Sequence, residues 1–458
     1  MRRLARQLAD LAAAELIGEP GPVRDPNFAS RIRAQLRRGV PDGDIAAAAR
    51  AIAAASLHLN HRRYMAQQVA APVPAAALVE SLVAALNQSL AVLRMSPAGT
   101  ALDRALMRDF QRAFGFPAST EGTLVPGGSF ANLTALLAAR AALEPRAWRD
   151  GVRPGRLAIL AGAQSHYSIG RTAALLGLGT RAVFPIPVDG NQRARAAAAP
   201  TAFAAARRAG YRRFILVATC GSTPTGGCDD LVALGAIARR YRAWFHVDAA
   251  HGGGFIFSPK LRGKLRGLEA ADSFTFDPHK MLFMPLNAGA VLVRDGRRLR
   301  AAFSQQAPYL FRSLPGGAWP DLAQFTLACS QRFDALKIWL TWKAYGGAFW
   351  GELIEGVCAA ARAAYEYCQS SPVLAPAHEP ESNIFCFRLR HPPRPASAAD
   401  RLHSSLEEAV NASGEAYISS TVLARRRVLR MVVMNPRSTG ADTCAVLQLV
   451  ERLAARRR

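Results

Sequence analysis

The chain has no long hydrophobic run and few cysteines and lysines. No stretch of about 18 uninterrupted apolar residues occurs, which excludes a transmembrane helix. Its seven cysteines are odd in number and scattered, without a CxxC pair. We therefore expect a reducing compartment and neither a disulfide framework nor a metal site. Apolar residues make up 50% of the 458 residues, which excludes a disordered or fibrous chain and allows a large core.

Acidic residues are scarce relative to basic ones. The chain has 33 Asp and Glu against 58 Lys and Arg, and only five of these cations are lysines. The arginines are spread along the whole chain, and only residues 424–430 and the C-terminal AARRR are dense. Nucleic-acid-binding proteins usually gather their charge in one patch, so this distribution disfavours specific binding to DNA or RNA. A coding bias towards arginine and alanine explains the composition about as well, although acidic small molecules would be attracted to such a surface.

The first hundred residues are predicted to be helical. Arginines precede an Ala/Leu stretch at the start, but Asp10 and Glu15 interrupt that stretch. This pattern is untypical of a secretory signal and favours an amphipathic helix of a cytoplasmic protein. Residues 71–97 are apolar at helical spacing, with proline at the entrance and Ser96-Pro97 predicted as the exit.

From about residue 120, short β-branched segments alternate with helical ones. The candidate strands are residues 156–160, 181–186, 212–219, 243–250, 272–277 and 289–295. Such alternation predicts an α/β fold with a mostly parallel central sheet and helices on both faces. A helix from about 350, two later strands and a further helix predict a smaller α+β domain. We expect an N-terminal helical segment at 1–95, a large α/β domain at 96–350 and a small C-terminal domain at 351–458.

Two charged side chains follow apolar strands of the predicted sheet. Asp248 ends one strand, in HVDAAHGGG, and Lys280 directly follows another, in SFTFDPHK. Open α/β sheets bind ligands at the carboxyl ends of their strands. Taken separately, these residues could be a turn-capping aspartate and a solvated lysine. Together, an acid for a pyridinium nitrogen and a lysine for a Schiff base are how proteins hold pyridoxal phosphate.

A glycine-rich turn provides a third candidate feature. Gly127, Gly128 and Ser129 open a strongly helical run, so free backbone N–H groups and a hydroxyl point towards one spot. That geometry suits a phosphate, although Ser129 alone could be an ordinary N-cap. The run matches neither common nucleotide-binding motif. A phosphate cradle, a ring-nitrogen acid and an imine lysine together predict one cofactor, pyridoxal 5'-phosphate.

An ordered set of motifs runs from residue 61 towards the C-terminus. They are HRRYMAQ (61–67), PGGSFANLTALLAAR (126–140), SHYSIGRTAALLG (165–177), VATCGSTPTGGCDDL (217–231), HVDAAHGGG (246–254), SFTFDPHK (273–280), YLFR (309–312), DALKIWLTWKAYG (334–346) and LRMVVMNP (429–436). The set resembles the pyridoxal-phosphate-dependent group II amino-acid decarboxylases, and among them most closely the glutamate and cysteine sulfinate decarboxylases. The resemblance implies fold type I, the aspartate-aminotransferase-like fold, in a homodimer whose active site lies near the subunit interface. It also implies decarboxylation of an L-amino acid to carbon dioxide and an amine through an external aldimine and a quinonoid.

The resemblance further implies a set of cofactor-binding residues. They are Gly128, Ser129, His166, Thr223, Asp248, Ala250, Asp277, His279 and Lys280. Lys280 would carry the imine, Asp248 would hold the pyridine nitrogen, and His166 would stack on the ring and help orient the substrate. Thr223 would lie near the ring hydroxyl, and Ala250 would pack against the ring. The remaining residues would bind or flank the phosphate.

Two further matches concern the substrate. In the acidic subgroup a glutamine and an arginine contact substrate carboxylates, and Gln67 and Arg430 occupy those positions. A bidentate guanidinium suits a carboxylate, although Arg430 lies near other arginines and could be a surface charge. The resemblance thus implies a short acidic substrate of the glutamate, aspartate or cysteine sulfinate type.

Three departures from the family pattern leave alternatives open. Asp277 stands where the subgroup usually has asparagine, so a cation such as His279 would have to compensate its charge. Arg62 is unexpected, because HRR stands where the family usually has HPR. No tyrosine lies between Phe311 and Cys329, where related enzymes carry a proton-donating loop tyrosine, and Tyr309, Trp319 or a histidine could replace it. One alternative to an amino-acid decarboxylase keeps the cofactor but changes the reaction, as in a decarboxylating aldehyde synthase, an aminotransferase or a specialised-metabolite tailoring enzyme. The other alternative is a basic nucleic-acid-binding protein that uses the fold without catalysis.

Overall fold

The computed structural model describes residues 2–18, 21–303, 305, 307–311 and 320–457 of the chain. Its α-helices are α1 Arg2–Ile17, α2 Phe28–Arg38, α3 Ile45–Ala54, α4 Pro74–Leu86, α5 Pro97–Ala113, α6 Gly128–Leu143, α7 Ala147–Asp150, α8 Ser168–Leu175, α9 Ala199–Arg208, α10 Leu231–Tyr241, α11 Pro278–Met281, α12 Gly296–Phe303, α13 Ala335–Ser370, α14 Ala396–Ser413 and α15 Gly440–Ala455. Its strands are β1 Glu121–Val125, β2 Leu157–Gly162, β3 Val183–Ile186, β4 Arg213–Thr219, β5 Trp244–Asp248, β6 Ser273–Phe276, β7 Gly289–Val293, β8 Leu374–Pro376, β9 Ile384–Leu389, β10 Ser419–Leu423 and β11 Arg426–Val432. The chain divides into two compact units, residues 75–355 and residues 1–74 with 356–458.

The unit of residues 75–355 contains a seven-stranded sheet in the order β1-β7-β6-β5-β4-β2-β3. The five strands from β6 to β3 run parallel, and β7 pairs antiparallel with both β6 and β1. Nearly every residue of β2, β4 and β5 is buried. This burial explains why these strands read as continuous apolar runs rather than as alternating patterns. The mostly parallel sheet confirms the predicted α/β fold.

Helices cover both faces of this sheet. Leu157 and Ile159 of β2 belong to one buried cluster with Ala135 of α6. On the opposite face, the ring of Phe214 in β4 packs edge-on against Phe203 of α9, with centroids 5.2 Å apart. Alternate residues of a strand point to opposite faces, so each strand contributes to both layers of the core. Since helices cover both faces, a site formed by loops lies at the carboxyl ends of the strands.

The other unit contains a four-stranded antiparallel sheet in the order β10-β11-β9-β8. Helix α14 packs against β11 and β10, and His403 of α14 accepts a hydrogen bond from the Leu389 amide of β9 at 3.1 Å. In the described ranges, no helix combines the length and the hydropathy that a membrane crossing requires.

The prediction of one apolar helix that leaves at Ser96-Pro97 is wrong. Helix α4 ends at Leu86, the next residue, Asn87, has a φ of 46°, and Pro97 is the first residue of α5. A proline has a fixed φ and no N–H group, so it suits the first turn of a helix as well as the segment after a helix end. The Ser-Pro signal therefore marks a helix start here rather than an exit.

Candidate cofactor site

Two neighbouring strands place Asp248 and Lys280 at the same edge of the large sheet. β5 ends at Asp248, which is paired in parallel register with Thr275 of β6. β6 is followed at once by α11, the short helix that carries Lys280. Lys280 Nζ lies 3.0 Å from Asp277 Oδ2. An acid and a lysine thus follow adjacent parallel strands, as open α/β sheets arrange their ligand-binding residues.

Asp248 is a buried carboxylate with several donors aimed at it. Its side chain accepts hydrogen bonds from Asn132 Nδ2 at 2.9 Å, the Ala250 amide at 3.1 Å and Thr275 Oγ1 at 3.2 Å. Burial alone would raise the pKa of Asp248, but the positive charge of Lys280 and the hydrogen bond from Asn132 outweigh it and lower the pKa. Asp248 is therefore ionised at neutral pH, although it is only 5% exposed.

The glycine turn lies beside these groups. Gly127, with a φ of 90°, precedes the first residue of α6, and within the described chain no side chain caps that helix start. A Cβ at Gly128 would lie 2.7 Å from Asp277 Oδ2 and 3.0 Å from Ala250 Cβ, so no larger residue fits. Ser129 follows in the first turn of α6, where backbone N–H groups have no intrahelical acceptor. The structure thus brings a helix N-terminus, whose first backbone N–H groups have no intrahelical acceptor, next to α11.

Asp277 and His279 flank the same turn. Asp277 is 1% exposed, and among the described residues its Oδ1 atom has no hydrogen-bond partner. His279 Nε2 lies 3.7 Å from Asp277 Oδ2, and its Nδ1 lies 2.6 Å from the Ala288 carbonyl oxygen. Burial lowers the pKa of His279, which keeps that ring neutral. Lys280, and not the neutral His279, is therefore the cation that compensates the charge of Asp277.

Loops after β2 and β4 carry the next two predicted residues. His166 directly precedes α8, and its Nδ1 lies 2.8 Å from Ser168 Oγ. Thr223 is half-buried in a turn. The two ends of this turn are joined by an isolated antiparallel β-bridge between the backbones of Cys220 and Cys228. The Cys220 amide donates a hydrogen bond to the Asp248 carbonyl oxygen at 2.9 Å, which ties this turn to the end of β5.

Four buried polar residues near Asp248 were not predicted from the sequence. They are Asn132, Ser168, His246 and Ser273, each at most 1% exposed. Asn132 Nδ2 bonds to both Asp248 Oδ2 and Ser168 Oγ, each at 2.9 Å. A signal for them exists, since Asn132 lies on a mostly apolar helix and His246 within an apolar strand, and buried polar groups require partners.

Gln67 and Arg430 belong to the other unit and lie close to each other. Arg430, in β11, is 5% exposed, so it is not the surface charge considered as its alternative. Its Nη1 donates hydrogen bonds to the Ala66 carbonyl oxygen at 3.1 Å and to Ser419 Oγ at 3.3 Å. Burial lowers the pKa of Arg430 from its usual value. Gln67 directly follows Ala66 and is exposed.

The residues considered as replacements for the loop tyrosine are described only in part. Tyr309 is 80% exposed, and its carbonyl oxygen accepts a hydrogen bond from Arg94 Nη2 at 3.3 Å. Trp319 and the segment 312–319 lie outside the described residues. No proton donor is therefore assigned from this loop.

Comparisons with known proteins agree on one family. A family model described as the pyridoxal-dependent decarboxylase conserved domain matches residues 42–390. L-2,4-Diaminobutyrate decarboxylase of Rhizobium meliloti (strain 1021) is 34% identical over 368 residues, covering 80% of this chain and 72% of that protein. Cysteine sulfinic acid decarboxylase of Mus musculus is 30% identical over 413 residues, covering 87% of this chain and 83% of that protein. The crystal structure of mouse CSAD has a TM-score of 0.92 at 26% identity and covers 99% of this chain and 98% of that chain.

Proposed function

The chain belongs to the pyridoxal-dependent decarboxylase family, and we propose that within this family it decarboxylates a short acidic L-amino acid. As a member it is a pyridoxal-phosphate-dependent amino-acid decarboxylase, a lyase, with the fold type I architecture of its structural relatives. The observation that carries the proposed site is the ionised, buried Asp248 beside Lys280 at adjacent strand ends.

The residues at these strand ends fit pyridoxal phosphate in two respects. Asp248 is a buried anion, as the partner of a protonated pyridine nitrogen must be. The first turn of α6, which begins at Gly128, has backbone amides without an intrahelical acceptor, and these suit a phosphate. Asp277 is a further buried carboxylate beside this turn, and the positive charge of Lys280, whose Nζ lies 3.0 Å from Asp277 Oδ2, compensates it.

When bound, pyridoxal phosphate supplies an electron sink for the electron pair left on Cα when carbon dioxide departs. Asp248 would hold a proton on the pyridine nitrogen, because its lowered pKa keeps the carboxylate charged. Lys280 Nζ would attach the cofactor, and Asp277 Oδ2, 3.0 Å away, would accept a hydrogen bond from Nζ and orient it. His166 would contact the ring and orient the substrate. The remaining proposed cofactor contacts are Gly128, Ser129, Thr223, Ala250 and His279.

The acidic substrate class rests on Arg430 and Gln67. A buried guanidinium can bind a carboxylate or a sulfinate through two parallel hydrogen bonds, which an exposed lysine does less specifically. The mouse relative is named for cysteine sulfinic acid, which carries such a group. The Rhizobium relative is named for L-2,4-diaminobutyrate, whose side chain is a second amine, so that amino acid is the second candidate substrate.

A substrate panel tests the proposed reaction. The purified holoenzyme is incubated with L-aspartate, L-glutamate, L-cysteine sulfinate, L-2,4-diaminobutyrate and L-leucine, and carbon dioxide and product mass are measured. The proposal predicts one carbon dioxide and one retained amine per turnover, fastest with an acidic substrate. Fastest turnover of diaminobutyrate would support the second candidate. An aldehyde product would instead show an aldehyde synthase, and a keto acid without carbon dioxide an aminotransferase.

A paired substitution tests the proposed role of Arg430. Arg430→Ala should raise KM for the acidic substrate by about 100-fold, because it removes a charge-assisted bidentate contact of about 3 kcal/mol. Arg426→Ala is the matched control, since Arg426 is an exposed arginine of the same strand, paired with Asp400. Equal KM changes in the two variants, or an equal change for a neutral substrate, would contradict the role.

We also propose a cytoplasmic homodimer in which residues 1–95 form a helical dimerisation segment, 96–350 the cofactor domain and 351–458 the small domain. The proposal rests on the family resemblance and on the composition. Sedimentation of the holoenzyme should give a mass about twice the 49.1 kDa of one chain. A species at the mass of a single chain under assay conditions would contradict it.

A further inference from the structure

A continuous set of buried hydrogen bonds joins Asp248 to His166. Its members besides these two are Asn132, Ser168, His246, Ser273 and Trp244. Asn132 is the branch point, because its amide contacts Asp248, Ser168 and His246. Each of these side chains has a fixed number of hydrogen-bond donors and acceptors, and this limits where the protons on the two histidines can lie.

The charge on Asp248 fixes the Asn132 amide. An ionised carboxylate only accepts, so the atom that faces Asp248 Oδ2 must be the Asn132 NH2 group, and Asn132 Oδ1 faces His246 Nε2 at 2.9 Å. His246 Nε2 must then carry a proton to donate. Burial lowers the pKa of His246 to about 4, so the ring is neutral at pH 7 and its Nδ1 is an acceptor.

The far end of the set agrees with this assignment. His246 Nδ1 lies 2.9 Å from Ser273 Oγ, whose hydroxyl hydrogen must point at it. Ser273 Oγ in turn lies 2.8 Å from Trp244 Nε1, which can only donate. The serine oxygen accepts from the indole and its hydrogen goes to the imidazole, so each donor of the Trp244, Ser273 and His246 side chains meets an acceptor.

The second hydrogen of the Asn132 amide reaches towards His166. It is donated to Ser168 Oγ at 2.9 Å, so the Ser168 hydroxyl hydrogen is free to point at His166 Nδ1, 2.8 Å away. The Ser168 backbone N–H, which can only donate, points at the same nitrogen from 3.3 Å. Both donors require an unprotonated Nδ1. Because burial lowers the pKa of His166, the neutral ring carries its single proton on Nε2.

We propose that Asn132, acting through Ser168, is a positioning residue that holds His166 in the tautomer protonated at Nε2 while Asp248 is ionised. The inference rests on the proposed function, in which Asp248 and His166 face the cofactor and the substrate. Its consequence is chemical: His166 presents an N–H donor to whatever binds beside it. A donor stabilises an anionic oxygen of an amino-acid substrate, whereas an imidazole lone pair would repel it.

The test measures the tautomer directly. Protein labelled with 15N-histidine is examined by NMR with and without bound pyridoxal phosphate, and the His166 signals are assigned from their loss in His166→Gln. The wild type should show an unprotonated Nδ1 and a protonated Nε2. Ser168→Ala, which trims one oxygen, should shift the tautomer ratio of His166 by about tenfold, the effect of losing one hydrogen bond of about 1.4 kcal/mol, and leave His246 unchanged.

Asn132→Leu should shift the tautomers of both His166 and His246, because it removes the branch point. Thr134→Val is the matched control, since Thr134 is a buried polar residue of the same helix α6 and its replacement should move neither histidine. A wild-type His166 protonated at Nδ1, or ratios in both test variants equal to that of the control, would overturn the inference. Failure of the cofactor to attach to Lys280 would overturn the proposed function instead. The tautomer of His166 would still be measured in that case, from the spectra of the cofactor-free protein.

Discussion

Replacing Gly128 with alanine should weaken binding of pyridoxal phosphate while leaving the protein folded. The new Cβ would lie 2.7 Å from Asp277 Oδ2 and 3.0 Å from Ala250 Cβ. Neither neighbour can yield easily, because Ala250 is 6% exposed and Asp277 is 1% exposed and paired with Lys280. Overpacking of this kind costs about 1–3 kcal/mol. The clash is relieved when the start of α6 moves away from Asp277, which displaces the backbone amides proposed to hold the phosphate, and loss of about 1–3 kcal/mol of binding corresponds to about 5- to 150-fold in affinity.

The affinity is measured by titrating cofactor-free protein with pyridoxal phosphate and following absorbance, and the fold by urea unfolding. Gly170→Ala is the matched control, since Gly170 lies in α8 of the same unit and a Cβ there meets no atom within 4 Å. The control should bind the cofactor as the wild type does. An affinity of Gly128→Ala within twofold of the control, in a folded protein, would refute the reasoning that this turn is the phosphate cradle.

Three further predictions concern individual groups. Asp248→Asn should lower kcat by about 100-fold in a decarboxylation assay, since it removes the charge held against the ring nitrogen, whereas the surface control Asp295→Asn should not. Between pH 6.5 and pH 4, the free energy of unfolding should fall by up to about 3 kcal/mol more in wild type than in His246→Gln. The reason is that the pKa of buried His246 is lowered to about 4, so the unfolded state binds the proton first as the pH falls. An equal loss of the free energy of unfolding in the two proteins, measured with urea at both pH values, would contradict this. A thiol reagent should label exposed Cys329 first and buried Cys220 last by peptide mass spectrometry, since the hydrogen bond with Cys228 and burial raise the pKa of Cys220.

The sheet was predictable because its strands are buried on both faces. β4 is an example: residues 212–219 were predicted and Arg213–Thr219 are found, since an internal parallel strand has to be apolar at every position. Asp248 and Lys280 were identifiable for the same reason, as charged residues that end or follow such runs. The helix boundary at Ser96-Pro97 was not, because the same dipeptide is typical of a helix start and of a helix end.

The partners of Asp248 were beyond the reach of local patterns. Asn132 and Asp248 are 116 residues apart in the chain, and Asn132 and His246 are 114 apart. Each reads locally as a polar interruption of an apolar element. Only the folded sheet shows that they satisfy one another, which is why the buried hydrogen bonds around Asn132 emerge from the structure and not from the motifs.

The most direct test of the account is to reduce the holoenzyme with borohydride, digest it and locate the cofactor by peptide mass spectrometry. We expect the reduced pyridoxyl group on Lys280, in a peptide that contains the DPHK sequence. Each of the other lysines, at 260, 264, 337 and 343, offers an internal comparison. Pyridoxyl label on any of these instead of Lys280, or colourless protein that takes up no cofactor, would show that Lys280 is not the residue that binds the cofactor.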